Sequence, residues 1–264
     1  MLELVVLASG SSGNAAIVRD TATGRALLID CGICKREFFA RCAQADIDPI
    51  AIEATLVTHA HSDHTSGLGV VMRGLHKLGC TPPLYAHPLV REQSKPIAEV
   101  AILVPQRVIA HDEQFEAAGI TVTPFPTSHD AAGSTCFRFE TEDDAIGYVT
   151  DTGIVTPQAH ASLQQVRILA IESNHDVTML KEGPYPYLLK ERILGVGGHL
   201  SNAQCCEEVS SLLHADLEHV VAMHISEHNN TFELPAHELC QTLAAHNHDA
   251  TVHVARPDRP IKVS

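Results

Sequence analysis

The chain has no tryptophan, and aromatic residues make up only 4% of its 264 positions, so base-stacking platforms and aromatic sugar-binding surfaces are poorly supplied. Basic residues are also scarce. Eighteen Lys and Arg stand against 32 Asp and Glu, a formal net charge of -14. That balance disfavours a binder working through a broad basic face and leaves room for a local phosphate site. No apolar run approaches the ~18 residues of a membrane span. The opening MLELVVLASGSSGN has Glu3 within its short apolar stretch and no basic flank, so it reads as a strand and not as an export signal. The eight cysteines are scattered; Cys31-Gly-Ile-Cys34 is the one CxxC, with no second pair to complete a structural zinc site. Reduced packing thiols in a cytoplasmic protein are therefore expected. Repeats, low-complexity tracts and long Pro/Gly/Ser linkers are missing as well, which implies one domain over 1–264.

What the chain has in excess is histidine, 18 in all, and neutral imidazole is the commonest metal ligand. Apolar periodicity predicts strands at Leu2 to Ala8, Ala15 to Arg19, Ala26 to Asp30, Ala54 to Thr58, Ile120 to Phe125, Thr135 to Glu140, Ala145 to Thr150, Val166 to Glu172, Leu217 to Met223 and Thr251 to Ala255. Helical patterns fall near Lys35 to Ala45, Thr65 to Leu78, Thr156 to Gln165, Asn202 to His214 and Pro235 to His246. Strands succeed one another in the first half and alternate with helices in the second. The pattern is that of a layered α/β protein, two mostly buried sheets with helices on their outer faces.

The strand ending ATLVT runs into His59-Ala60-His61-Ser62-Asp63-His64 and then directly into a helical pattern. Four metal-competent side chains within six positions exceed what one metal can use comfortably, whereas two adjacent metals can share them. Three further candidates sit just past strand ends: His129 after ITVTPFP, Asp151 after AIGYV, and His224 after LEHVVA. An Asp set between strand-derived histidines can bridge two cations, and a water shared by the pair loses a proton near neutral pH to become a nucleophile. His76, His87, His111, His160, His214, His219, His237, His246, His248 and His253 have no partner at ligand spacing and are read as solvated surface.

The order His59-x-His61-x-Asp63-His64, His129, Asp151, His224 resembles the metallo-β-lactamase superfamily over almost the whole chain. The resemblance implies a four-layer αβ/βα sandwich and two divalent metal ions. One ion would be held by His59, His61 and His129 and the other by Asp63, His64 and His224, with Asp151 bridging; Asp63 would also count as catalytic. Glu172-Ser173-Asn174-His175-Asp176, Gly198-His199-Leu200-Ser201-Asn202, His224-Ile225-Ser226-Glu227-His228-Asn229-Asn230-Thr231 and the opening Leu7 to Asn14 resemble the YycJ (WalJ) branch, bacterial proteins regarded as nuclease-like. His228 and Phe232 depart from that branch, where an acidic residue and Pro are usual. Gly198-His199-Leu200-Ser201 and His224-Ile225-Ser226 also parallel motifs of tRNA 3′-processing nucleases, in which the first His lies beside the scissile phosphate.

Phosphoester chemistry has a physical basis in these segments. The Ser9 to Asn14 turn offers clustered backbone N–H groups, either as a tight hairpin alone or with anion binding added, and Gly198 to Asn202 leads into a helix N-terminus that favours anions. Ser11, Ser12, Asn14, Ser201, Asn202, Asn229 and Asn230 are the expected phosphate contacts. His199 is the candidate proton donor to a leaving alkoxide, with helix capping as its alternative role; His175 would orient a ligand or His199, or cap the next segment. Arg19, Lys35, Arg36, Lys190 and Arg192 would offset the acidic field locally. The leading function is a two-metal phosphodiesterase of nuclease type acting on DNA or RNA ends or on a small phosphodiester. A thioester or lactone hydrolase on the same metals is the alternative, and a regulatory module without turnover the third. The imidazole-rich set favours Zn²⁺, with Mn²⁺ as the alternative ion. No membrane partner is expected, and the oligomeric state is open.

Overall fold

The computed structural model describes residues 1–264. The first sheet contains β1 (Leu2–Ala8), β2 (Ala15–Asp20), β3 (Ala26–Ile29), β4 (Ile52–Leu56), β5 (Leu84–Ala86), β6 (Gln106–Val108) and β14 (Ile261–Val263), in the order β14-β1-β2-β3-β4-β5-β6. The second contains β7 (Phe115–Ala117), β8 (Ile120–Pro126), β9 (Thr135–Thr141), β10 (Asp144–Val149), β11 (Ile168–Glu172), β12 (His219–Met223) and β13 (Thr251–Val254), in the order β13-β12-β11-β10-β9-β8-β7. Each sheet is half antiparallel meander and half parallel: pairing turns parallel at β3–β4 in the first sheet and at β10–β11 in the second. The helices are α1 (Lys35–Gln44), α2 (Ser62–Thr65), α3 (Leu68–Lys77), α4 (Pro88–Gln93) and α5 (Lys95–Val100), then α6 (Pro157–Leu163), α7 (Val177–Glu182), α8 (Tyr187–Leu194), α9 (Asn202–Ser211) and α10 (Glu233–Ala245).

Three apolar slabs make this a four-layer αβ/βα sandwich. Because successive side chains of a strand point to opposite faces, β1 sends Leu2, Leu4 and Val6 into the slab between the sheets and Val5 and Leu7 into the slab beneath α1 and α3, where Phe38, Leu68 and Val71 meet them. In the second sheet Ile146 and Tyr148 face the first, while Ala145 and Val149 face outward with Leu163, Val209 and Leu239 of α6, α9 and α10. Burial on both faces explains why LELVVLA is apolar nearly throughout. Its one charge, Glu3, is buried and paired with Arg19 at 2.6 Å.

The long elements lie where periodicity places them. The short ones do not show in the sequence: β5, β6, β7 and β14 have three residues each, too few to display a period. One expectation is corrected. The helix expected from Thr65 to Leu78 is broken at Ser66-Gly67, between α2 and α3. There Gly67 N–H donates to Cys31 O at 2.8 Å, and a Cβ on Gly67 would overlap the Ile33 carbonyl. This close backbone approach seats the histidine motif against the turn after β3.

Candidate metal centre

The chemistry-bearing residues follow the C-terminal ends of strands that point one way. Asp30 follows β3, His59 to His64 follow β4, His129 follows β8, Asp151 follows β10, Glu172 ends β11 and His224 follows β12. Asp30, Asp151 and His224 have φ of 56°, 53° and 52°, a left-handed conformation that costs a non-glycine residue about 1–3 kcal/mol. Each turns the chain so that its side chain enters the mouth rather than continuing the pleat.

Two candidate ligand sets converge there. In the first, His61 Nδ1 lies 3.1 Å from His59 Nε2 and 3.2 Å from His129 Nε2, close to the ~3.3 Å edge of a tetrahedron of nitrogens around zinc. The outer nitrogens fix the tautomers. His129 Nδ1 is 3.2 Å from Gly198 O, which can only accept. His59 Nδ1 meets Thr58 Oγ1 at 3.0 Å, and that hydroxyl donates onward to Asp30 Oδ2 at 2.7 Å. The Nε2 lone pairs of His59 and His129 therefore point at the same spot, an arrangement a cation satisfies.

The second set places Asp63 Oδ2 3.5 Å from His64 Nε2 and 3.6 Å from His224 Nε2. The latter nitrogen is buried without a hydrogen-bond partner in the chain. Asp30 anchors His64 Nδ1 at 2.7 Å, and Glu172 anchors His224 Nδ1 at 2.8 Å, the carboxylate–histidine pattern that aims Nε2 at a metal. Asp151 sits between the sets, with Oδ2 3.2 Å from His64 Nε2 and Oδ1 3.8 Å from His129 Nε2. The donor set of five imidazoles and two carboxylates fits a pair of divalent cations.

The electrostatics agree with this packing. Burial and the neighbouring His64 push His59 well below the ordinary histidine value. Burial also opposes charge on His64, but Asp151 and Asp30 outweigh it and hold the group well above that value. Asp151 is fully buried, which favours its neutral form, yet His224 and His64 keep it well below the usual carboxylate range.

His199 lies beside both sets, its ring centroid 5.2 Å from those of His129 and His224. Its Nδ1 is 2.8 Å from Glu172 Oε1. Burial disfavours its charged form, but Glu172 and Asp151 raise its pKa nonetheless. The other oxygen of Glu172 accepts from Thr152 N at 2.9 Å and Leu200 N at 3.3 Å, so one carboxylate joins the loops after β10 and β12 to the turn before α9. Sequence reading did not assign Glu172 or Asp30 to the site. Their signal is an acidic residue closing an otherwise apolar strand.

The structure buries most of the expected phosphate contacts. Ser11 and Ser12 are exposed, but Asn14 is buried. Its Oδ1 accepts from Gly10 N at 2.9 Å and its Nδ2 reaches Asp63 Oδ2 at 3.3 Å, so it steadies a candidate ligand. Ser201 is consumed by the capping box of α9 with Gln204. Asn202 and Asn230 are buried and bonded to each other, and Asn202 Oδ1 also accepts from Ser173 Oγ at 2.8 Å. Asn229 is buried as well. These loops fold inward over the sheet end; Ser201, Asn202 and Asn230 bond within the chain, while Asn229 Oδ1 is buried without a partner there. His175 is 1% exposed, and neither ring nitrogen has a partner within the chain. Of the cations expected to offset the acidic field, Arg19 is paired with Glu3 and Arg192 with Asp130. The ten histidines set aside as surface also need revision. Seven are half-buried, and these include His87 capping α4, His160 paired with Glu208 at 2.7 Å, and His219 facing His253 at 3.2 Å.

A family model described as beta-lactamase superfamily domain matches residues 25–225. Exodeoxyribonuclease YycJ of Bacillus anthracis is 31% identical over 99% of this chain and 98% of its own. Exodeoxyribonuclease WalJ of Streptococcus pneumoniae is 33% identical over 90% of this chain and 87% of its own. Among solved structures, a diphosphatase from the PhnP family superposes with a TM-score of 0.71 at 21% identity, covering 100% of this chain and 98% of that one. With the family match spanning most of the sequence and the relatives aligned nearly end to end, the chain belongs to the beta-lactamase superfamily.

Proposed function

We propose that this protein is a two-metal phosphodiesterase that removes nucleotides from DNA ends in the cytoplasm, with His59, His61 and His129 holding one divalent ion, Asp63, His64 and His224 the other, and Asp151 between them. Zn²⁺ suits the imidazole-rich set, and Mn²⁺ is the alternative ion. Such a pair supplies Lewis acidity when bound, acidifying water and drawing charge from a phosphoryl group.

The observation that carries the reading is the Glu172–His199 contact at 2.8 Å beside Asp151. Glu172 accepts the hydrogen bond of the Nδ1–H and fixes the ring, which leaves Nε2 to give a proton to a departing oxygen. A nucleoside alkoxide needs that proton; a thiolate leaves without it. The relatives' name, exodeoxyribonuclease, supports DNA as the substrate, and exposed Ser11 and Ser12 remain the candidates for phosphate contact. The test is metal-loaded protein offered DNA, RNA, bis(p-nitrophenyl) phosphate, a thioester and a lactone. Release of nucleotides from DNA ends is expected. Turnover of the thioester or lactone alone would overturn the reading.

A further inference from the structure

Helix α8 buries none of its eight residues, whereas a surface helix ordinarily buries an apolar stripe. Tyr187 is 72% exposed and Leu188 80%, and Val196 just beyond the helix is 69% exposed. Both ends of the segment that carries this helix are held beside the candidate metal centre. At the C-terminal end, Gly198 O meets His129 Nδ1, Ser128 Oγ donates to Val196 O at 2.7 Å, and Arg192 pairs with Asp130. The fit is close: a Cβ on Gly153, two residues past Asp151, would overlap the Gly195 and Val196 carbonyls. Before the other end, the Tyr185 ring lies 5.9 Å from that of His228, on the loop after His224. The helix therefore runs along the mouth from the His224 loop to the His129 loop. Lys190 Nζ ties it to α7 through Lys181 O and Gly183 O, at 2.7 Å each.

Apolar side chains exposed together beside a reaction site mark a surface that a ligand covers. The charge of the chain selects the ligand's contact. At -14 overall, a DNA strand gains little from long-range attraction, whereas base faces stacked on aromatic and apolar side chains bind without it. Paired bases hide those faces within the duplex, and an unpaired end presents them. We propose that the outer face of α8 is a docking ridge for the unpaired bases of a single-stranded DNA end whose scissile phosphate lies at the metal centre, with Tyr187 as the stacking residue. The inference rests on the nuclease reading. Few aromatics are available in this chain, and one of its four tyrosines stands here, exposed. Eight residues at ~1.5 Å each give a ridge of ~12 Å, which spans about three nucleotides of a stacked strand at ~3.4 Å spacing.

The test is steady-state kinetics of the metal-loaded protein on single-stranded oligodeoxynucleotides of about two to six residues, with bis(p-nitrophenyl) phosphate in parallel. In the wild type, KM should fall as the strand lengthens and covers the ridge. Tyr187→Ala and Leu188→Ser alter exposed side chains; each should raise KM for the longer strands roughly five- to a hundredfold, flatten the length dependence and leave the small diester unaffected. Nuclease activity whose KM ignores both substitutions overturns the ridge alone. A wild type that cleaves the small diester but no oligonucleotide overturns the nuclease reading and the ridge with it. A dimer in sedimentation that Tyr187→Ala dissolves assigns the face to a second copy of the chain, and overturns the proposal too.

Discussion

His199 and His224 share one acceptor, since the Nδ1 atoms of both rings lie 2.8 Å from Glu172 Oε1. A candidate ligand and the candidate proton donor are thus positioned by a single buried oxygen. Replacing it should disturb both functions together. Glu172→Gln keeps the shape but offers a neutral amide where two N–H groups seek a carboxylate. Metal affinity should fall about 10- to 100-fold, and turnover should fall even at saturating metal. Competition with a chromophoric chelator measures the first and initial rates the second. Retained affinity with normal turnover would reduce Glu172 to a packing role.

If His199 donates a proton, its loss must depend on what leaves. His199→Ala should slow a diester with an alkoxide leaving group by about 10²- to 10⁴-fold and barely slow one that releases p-nitrophenolate, which departs unaided. Metal content should not change. Equal losses on both substrates with the metals in place would remove the proton-donor role.

Asp151 faces both ligand sets, so its removal should cost more than one ion. About two equivalents of transition metal per chain are expected for the wild type and fewer than one for Asp151→Ala, read by elemental analysis after dialysis. Two retained equivalents would show that the sets do not depend on the Asp151 bridge.

The candidate ligands were legible because strand ends are. ATLVT running into a histidine cluster is a local pattern, and the long strands of both sheets announced themselves as short apolar runs. What the sequence hid were relations between distant loops. Asn202 and Asn230 looked like exposed phosphate contacts because each follows a strand or opens a helix, yet they bond to each other across 28 positions. Asp30 and Glu172 looked like strand ends, and only packing shows that each anchors a histidine ring far along the chain. The break between α2 and α3 likewise depends on where Ile33 lies relative to Gly67, a fact no helical period contains.

Gly32 makes the same point as an experiment. A Cβ there would overlap the carbonyl of Asp63, so Gly32→Ala must push the histidine motif away from the turn after β3. The second ligand set, which includes Asp63 and His64, should loosen before the first. Metal titration should lose one equivalent while far-UV circular dichroism is retained; two intact equivalents would mean that the turn yields instead.

His175 offers a test on stability. It is buried with both ring nitrogens unpartnered, and burial pushes its pKa down to about 4 from the ordinary histidine value of about 6.5. Between those values the unfolded chain binds more protons than the folded one, so stability rises with pH there and is lost on acidification from about 6.5 towards 4, by up to about 3 kcal/mol. His175→Leu removes the titrating group. It also replaces an unsatisfied polar ring with an apolar one, a change that is close to neutral or stabilising when nothing was bonded to the ring. Metal-free protein should be used, so that ligand protonation does not couple to metal loss, and melting compared at about pH 7.5 and about pH 5. The variant should match or exceed the wild type at the higher pH and lose less on acidification. An equal acid loss in both proteins, or a variant several degrees less stable at the higher pH, would mean that the ring has a partner in solution and that its burial is satisfied.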